Sequence, residues 1–336
     1  MIAKYYTTND DNSIICELCP HNCHIKPDKM GICGVRRNVN GNIEILNSGI
    51  IASSGLDPIE KKPLYHFYPG HKIYSIGGYG CNLKCTFCQN HEISQNVPER
   101  SNGFRHNQPA DLVAKAKFLP ENIGIAYTYN EPAMFFEFMV QTAELAKTEG
   151  LKNVMVSNGF INLKPLDELT ELIDAFNIDL KSFSDNFYRE LTGGRLNPVL
   201  NTLSRIKESG KHLEISFLVI PTKNDNIDDA SAIYSWIATN LGEDTILHIN
   251  KYYPAYKMQI PPTSTSTLIE LYELAKTKLK FVYMGNLHCE EIGCNTQCPS
   301  CSATVIKRSG YHTSLSALDS KGYCKICGYG PIAILD

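Results

Sequence analysis

No stretch of the chain approaches the 18 or so consecutive apolar residues that a transmembrane helix requires. Its beginning, MIAKYYTTNDDNSIICE, contains no apolar block of the kind found in a signal peptide. The charges lack an excess of one sign, because 32 Lys and Arg face 35 Asp and Glu and the formal net charge is −3. We therefore expect a cytoplasmic protein without a membrane partner, and we do not expect nucleic acid as a ligand.

Cysteine is missing between Cys88 and Cys289, and the 13 cysteines fall into three blocks. The blocks are Cys16, Cys19, Cys23 and Cys33; then Cys81, Cys85 and Cys88; then Cys289, Cys294, Cys298, Cys301, Cys324 and Cys327. Disulfides are rare in a reducing cytosol, whereas metal sites commonly use cysteines a few residues apart. The spacing therefore favours metal sites over a disulfide scaffold.

Short β-rich runs alternate with helical segments from Ile73 onward, which is typical of βα units around a parallel sheet. Six strands are predicted, at residues 73–78, 123–128, 153–158, 176–181, 213–220 and 245–250. A helix is predicted over PAMFFEFMVQTAELAKTEG, with Gly150 at its end. A last helix near 266–279 precedes a strand at 281–286.

These elements predict an α/β fold, a partial (β/α)6 barrel of TIM type over residues 66–288. A small N-terminal cysteine module with its connector (1–65) precedes the barrel. A zinc-ribbon or rubredoxin-like module (289–336) follows it.

The central block, GYGCNLKCTFCQN, places Cys81, Cys85 and Cys88 on one loop directly after the first barrel strand. A structural zinc site needs four ligands and usually uses C-x2-C pairs, so this spacing favours an iron–sulfur cluster. Ligation by four cysteines would close a [4Fe–4S] cluster to other chemistry. Three ligands leave one iron open, and that iron could chelate the amino and carboxylate groups of S-adenosylmethionine (SAM).

The C-x3-C-x-aromatic-C spacing, with Phe87 before the last cysteine, resembles that of the radical SAM superfamily. This resemblance implies reductive cleavage of SAM to a 5′-deoxyadenosyl radical that abstracts hydrogen from a substrate. TYNEP (128–132) resembles a Gly-Gly-Glu-Pro motif of the superfamily and assigns Glu131 to the SAM ammonium, although Tyr129 and Asn130 replace the glycines.

Further positions resemble those of glycyl-radical-enzyme activases. IDLKSFS resembles their DLK segment and assigns Lys181 to the SAM carboxylate, where a cation suits an anion. Ser157 and Asn158, in SNG, resemble polar residues near SAM, and His248 resembles a histidine near the ribose.

These positions also have structural interpretations. Glu131 could cap the helix that opens at Pro132, Lys181 could be a solvated strand end, and His248 could be a satisfied core residue. Their shared position at the carboxyl ends of strands favours function, because sites form at that face of a βα barrel.

The terminal cysteine blocks are predicted to bind metals. The N-terminal four can close a tetrahedral zinc site or ligate an auxiliary iron–sulfur cluster, and a structural metal is slightly favoured because the block precedes the barrel. In the tail, Cys298, Cys301, Cys324 and Cys327 form two C-x2-C knuckles for zinc or iron, with zinc favoured. Cys289 and Cys294 could be buried thiols, and Cys289 could instead act on the substrate.

Three segments together resemble the radical SAM proteins of the AmmeMemoRadiSam system, which are similar to pyruvate formate-lyase activating enzyme. These segments are the N-terminal cysteine block, DPIEKKPLYHFYPG and CQNHEISQ. The resemblance implies an oxidoreductase with flavodoxin or ferredoxin as reductant and with Memo-like and Ammecr-like partners. Its substrate would be a protein or a small metabolite. The alternative is a metal-binding interaction module whose cluster is structural or redox-sensing.

Overall fold

A computed structural model describes residues 2–96, 105–287 and 292–336. The first fifty residues form two small antiparallel sheets, built from β1 (Tyr6–Thr8), β2 (Ile14–Cys16) and β3 (His24–Ile25), and from β4 (Arg36–Val39) and β5 (Asn42–Ile45). Asn40 and Gly41 connect β4 to β5 with φ of 50° and 81°. An Asn-Gly pair with positive φ at both positions is the preferred two-residue hairpin turn, so this hairpin follows directly from the sequence.

The central feature is an eight-stranded sheet in the spatial order β13-β12-β11-β10-β9-β8-β7-β6. Its strands are β6 (Ser53–Pro58), β7 (Lys72–Gly77), β8 (Asn122–Tyr127), β9 (Lys152–Ser157), β10 (Ala175–Asp179), β11 (His212–Val219), β12 (Ile246–Lys251) and β13 (Val282–Gly285). Strands β7 to β13 are parallel, and β6 pairs antiparallel with β7. The α/β barrel is confirmed. β13 corresponds to the strand predicted at 281–286, and β6 adds an antiparallel strand at the other edge that the sequence pattern did not predict.

Helices connect the parallel strands and cover the sheet. They are α1 (His91–Ser94), α2 (Pro109–Phe118), α3 (Phe136–Thr148), α4 (Leu163–Leu172), α5 (Asp185–Phe187), α6 (Leu196–Glu208), α7 (Ile227–Asn240) and α8 (Thr265–Lys276). Side chains cap several of them, since Asn226 accepts from the backbone N–H of Asp229 and Ser264 accepts from that of Thr267. Gly150 follows α3 with a φ of 73°, as its predicted role at the helix end requires.

The amino-terminal end of the sheet is closed by two segments that lie far apart in the sequence. Tyr65 and His66 donate backbone hydrogen bonds to the buried Glu214 of β11 at 2.9 and 2.8 Å. Phe67 bridges Ile334 near the chain end. The predicted connector after the N-terminal module therefore belongs to the barrel, because its residues form β6 and this closure.

The C-terminal region forms a three-stranded antiparallel sheet from β14 (Thr296–Gln297), β15 (Thr304–Ser309) and β16 (His312–Ser314). Its Val305 and Ile306 pack with Ile246 and Phe281, at the starts of the last two barrel strands. The module thus covers the end of the barrel opposite the carboxyl ends of the strands. Within the described residues, no helix is long and apolar enough to cross a bilayer.

Candidate active site

The loop after β7 carries Cys81, Cys85 and Cys88. Neighbouring elements hold its backbone in place, because Lys84 N–H donates to Thr192 O at 2.7 Å and Thr86 N–H donates to Leu191 O at 2.9 Å. These bonds leave the three cysteines facing a cavity rather than the sheet. The loop geometry therefore presents three sulfurs together, as the spacing predicts.

Cys85 is buried, and Cys81 and Cys88 are half-buried. Burial raises the pKa of Cys81 well above its usual value. Burial also raises the pKa of Cys85 to about 11, although the nearby Lys181 lowers it. A metal ion or cluster binds thiolates and releases their protons, so Cys81 and Cys85 suit a metal and are poor nucleophiles without one. The side-chain amide of Asn158 lies 3.6 Å from Cys81 Sγ and can donate to it.

A cavity of about 540 Å³ opens over the three cysteines, at the carboxyl ends of the parallel strands. This volume lies within the range of cofactor and substrate pockets. Its lining includes predicted site residues from four separate segments of the chain, namely Cys81, Cys85, Cys88, Glu131, Ser157, Asn158 and Lys181. The structure thus brings together the cluster loop and four of the five predicted cofactor-binding residues.

Glu131 is buried and accepts three hydrogen bonds from the protein. Its Oε1 accepts from the N–H of Ala133 at 3.1 Å and from Ser157 Oγ at 2.9 Å, and its Oε2 accepts from the N–H of Asn158 at 2.8 Å. The bond from Ala133 caps the short 3-10 helix Pro132–Phe135, so the structural interpretation of Glu131 holds in part. Burial raises its pKa to about 7, although these hydrogen bonds lower it. A carboxylate has about four acceptor sites, so one stays available to the cavity.

Lys181 forms an ion pair with Asp179 at 2.8 Å, two residues earlier on the same face of the strand end. Burial opposes the charge on Lys181, but Asp179 outweighs this effect and raises the pKa of the lysine. Both residues line the cavity. The cavity therefore holds a fixed cation next to a fixed anion, on the wall formed by β10.

Tyr129 replaces a glycine of the family motif, yet its φ of 71° is one that glycine adopts readily. Its hydroxyl donates to Asp57 Oδ2 at 2.7 Å, and Lys62 Nζ reaches the same oxygen at 2.7 Å. Asn130, at the second glycine position, donates to Gly80 O at 2.8 Å. These side chains tie the motif to the cluster loop and to the end of β6.

Sequence reasoning missed several cavity residues. They are Lys62, which is bonded to Asp57, and the polar wall residues Asn177, Asp179, Ser216, Asn250 and Asn286. Asn177, Asp179 and Lys181 follow each other at every second position, which is the spacing of side chains on one strand face. Polar residues at inward-facing positions of otherwise apolar strands are the sequence signal from which these cavity residues could have been predicted.

His248 lies elsewhere. It is buried, and its Nε2 lies 2.6 Å from Oε2 of Glu214. The other carboxylate oxygen of Glu214, Oε1, lies 2.8 Å from His212 Nε2. Asn250, two residues further along β12, lines the cavity, whereas His248 does not. The structural interpretation thus describes His248 better than the predicted contact with the ribose.

The C-terminal knuckles bring four thiols together. The ligand atoms of Cys298, Cys301, Cys324 and Cys327 all lie within 4.8 Å of one another, so this group could hold a metal ion. Cys294 is half-buried, with its sulfur 3.7 Å from Ile292 O. Cys289 lies outside the described residues.

The three thiols of the cluster loop suit a [4Fe–4S] cluster with one iron open. Among the described residues, no fourth cysteine lines the cavity. The amide donor beside Cys81 and the charged pair on β10 give the open side of such a cluster polar partners. An interaction module would need neither this cavity nor these charges.

Comparison with known proteins gives the class. The Radical SAM superfamily matches residues 75–236. The chain belongs to this superfamily and is a radical SAM enzyme, with a [4Fe–4S] cluster and SAM as the cofactors that membership implies.

Three individual proteins are similar to this chain. The uncharacterized protein MJ0808 of Methanocaldococcus jannaschii is 41% identical over 97% of both chains. The pyruvate formate-lyase 1-activating enzyme of Escherichia coli is 23% identical over 45% of this chain and 62% of its own length. A radical SAM methyltransferase from Sphaerobacter thermophilus shares the fold, with a TM-score of 0.51 at 14% identity over 65% of this chain and 67% of that chain. The finer resemblance to the AmmeMemoRadiSam system stays a prediction.

Proposed function

We propose that this enzyme cleaves SAM reductively in the cavity above Cys81, Cys85 and Cys88 and abstracts a hydrogen atom from a polar substrate. The observation that carries the proposal is the convergence of three thiols, a carboxylate and an ion pair on one cavity of about 540 Å³. These groups come from distant parts of the chain, so their meeting is not a local effect of sequence.

Cys81, Cys85 and Cys88 would hold the cluster. When bound, a reduced [4Fe–4S] cluster with an open iron supplies the electron that breaks the sulfonium bond of SAM and yields the 5′-deoxyadenosyl radical. Asn158 supports this arrangement from the side of Cys81, where its amide can donate to the sulfur at 3.6 Å. Such hydrogen bonds to the sulfurs tune the reduction potential of a cluster.

Glu131 and the pair of Asp179 and Lys181 would position the amino acid end of SAM, which carries an ammonium and a carboxylate. Glu131 lines the cavity and retains about one acceptor site, which suits the ammonium. Lys181 suits the carboxylate, and its bond to Asp179 keeps the side chain oriented toward the cavity before SAM arrives. Preorganised charges of this kind avoid the entropy of ordering side chains on binding.

The rest of the cavity favours a polar substrate. Asn177, Ser216, Asn250 and Asn286 present amide and hydroxyl groups to the same space. Asn177 and Ser216 already have partners in the protein, since Ser216 Oγ donates to Asn177 Oδ1 and Asn177 Nδ2 donates to Pro63 O. The polar character of the lining, rather than unpaired groups, therefore favours a polar substrate. A protein segment and a small metabolite both remain open as the substrate class.

The experiment measures 5′-deoxyadenosine in anaerobic reactions with dithionite, flavodoxin or ferredoxin as reductant. Memo-like and Ammecr-like proteins, and separately a fraction of small metabolites, are added as substrate sources. We expect one source to raise the rate above uncoupled cleavage and to transfer deuterium from labelled substrate into 5′-deoxyadenosine. A rate that no source changes, with no deuterium transfer, would argue against hydrogen abstraction.

A further inference from the structure

The distances between thiols divide the three cysteine blocks into two kinds. In the tail, Cys298 Sγ lies 3.5 Å from Cys327 Sγ, and Cys301 Sγ lies 3.7 Å from Cys324 Sγ. Four thiolates around one zinc ion lie about 3.8 Å apart, because each zinc–sulfur bond is about 2.3 Å long. The tail therefore has the geometry of a site for a single ion.

The N-terminal quartet, Cys16, Cys19, Cys23 and Cys33, is arranged differently. Among the residues that the structure describes, the tail quartet is the one group of three or more His, Cys, Asp or Glu whose ligand atoms all lie within 4.8 Å. No two thiols of the N-terminal quartet are in hydrogen-bond contact within this described part of the chain, in contrast to those of the tail. Cys81, Cys85 and Cys88 share this wider spacing.

The N-terminal cysteines are nevertheless neighbours. Cys16 N–H donates to Cys23 O at 3.0 Å across the pairing of β2 with β3, and Asn22 N–H donates to Cys19 O at 3.0 Å. Cys23 Sγ lies 3.7 Å from the position that a Cβ on Gly31 would take, two residues before Cys33. The four cysteines are thus neighbours, but their sulfurs are not all within 4.8 Å of one another as those of the tail are.

We propose that Cys16, Cys19, Cys23 and Cys33 bind a second [4Fe–4S] cluster rather than zinc. In such a cluster each cysteine ligates a different iron, so the four sulfurs stand apart. In a [2Fe–2S] cluster two thiolates share each iron, and they would lie in pairs as close as those of the tail. The observed spacing fits one thiolate per iron and completes a closed cluster with four cysteine ligands, unlike the open cluster of the barrel.

The second cluster would lie next to the first. A Cβ on Gly80 would be 2.9 Å from Cys33 O, and Gly80 has a φ of 89°, so glycine permits this close approach. Gly80 directly precedes Cys81, and consecutive Cα atoms are about 3.8 Å apart. Together with the contact between Gly80 and Cys33 O, this limits the distance between the Cα atoms of Cys33 and Cys81 to about 11 Å. His21 also contacts Asn82 O of the cluster loop at 2.7 Å.

The test removes the barrel cluster and counts what stays. The full chain with Cys81, Cys85 and Cys88 replaced by Ala is reconstituted anaerobically with iron and sulfide. We expect about four iron and four sulfide per chain, against about eight of each in the native protein, and an EPR signal after reduction by dithionite. In the native protein, two neighbouring reduced clusters should give an EPR spectrum broader than that of the variant.

Two controls make the result specific. Replacing Cys16, Cys19, Cys23 and Cys33 together by Ala in the triple variant should abolish the remaining iron, whereas Cys298→Ser should leave it unchanged. Retention of zinc instead of iron and sulfide in the triple variant would overturn the proposal. Iron that survives the loss of all four N-terminal cysteines would overturn it as well, since that iron would be bound elsewhere.

Discussion

Replacing Glu131 by Gln separates a role in SAM binding from a role in the fold. A glutamine keeps one acceptor oxygen and turns the other into an NH2 group, so the N–H of Asn158 or of Ala133 would face a donor. An unsatisfied buried N–H costs about 1–3 kcal/mol, which we expect as a loss in the free energy of unfolding. Removing the charge that meets the SAM ammonium should cost about 2–5 kcal/mol of binding. Since about 1.4 kcal/mol is tenfold, SAM affinity should fall well over tenfold.

Glu214→Gln is the matched control. Glu214 is also buried and accepts from two backbone N–H groups, but it does not line the cavity. Urea unfolding and anaerobic SAM titration, followed by the EPR signal of the cluster, are measured for both variants. We expect both to lose stability and only Glu131→Gln to lose SAM affinity. If Glu131→Gln binds SAM as tightly as the native enzyme, Glu131 is only a helix cap and its assignment to SAM is wrong.

Three further predictions concern other parts of the molecule. Lys181→Met should weaken SAM binding more than tenfold, because it removes the cation and leaves Asp179 unpaired; unchanged affinity in the same titration would contradict its assignment. Burial lowers the pKa of His66 to about 3, so the unfolded chain binds more protons than the native one below about pH 6.5. Stability should therefore fall as the pH drops from about 6.5, by at most about 1.4 kcal/mol per pH unit from this residue. The urea concentration at the unfolding midpoint should depend less steeply on pH in His66→Gln than in the native protein, and an equally steep dependence would contradict this role of His66. The double variant Cys298→Ser, Cys301→Ser should lose one metal ion, which we predict to be zinc, by elemental analysis while SAM cleavage continues; loss of cleavage in a folded barrel would link the tail to catalysis.

Much of the site was predictable because its groups follow strand ends. The alternation of strands and helices predicts where each parallel strand ends, and these ends meet at one face of the sheet. Glu131, Lys181 and the cluster loop therefore could be assigned to one cavity without coordinates, and the structure places them there. Asp179 was not predicted, although it stands two residues before Lys181 in the same motif. The resemblance assigns a role to the lysine only, and the shared strand face of the two residues was the available signal.

Depth within the barrel and long-range contacts were not predictable. The two-residue period of β12 places His248 and Asn250 on one face, but only the structure shows that His248 lies below the cavity and pairs with Glu214. Lys62 lines the cavity although it belongs to the segment that follows β6, and no local pattern indicates this. The spacing of the N-terminal thiols is likewise a tertiary property, so the sequence left zinc and a cluster as alternatives.

The most direct test of the central claim measures 5′-deoxyadenosine released from SAM by the anaerobically reconstituted enzyme with dithionite. The native enzyme is compared with the variant in which Cys81, Cys85 and Cys88 are all replaced by Ala. We predict release by the native enzyme and none by the variant, because the described part of the chain offers no other cysteine in the cavity. Release by the folded variant at the native rate would contradict the assignment of these three residues to the cluster that cleaves SAM.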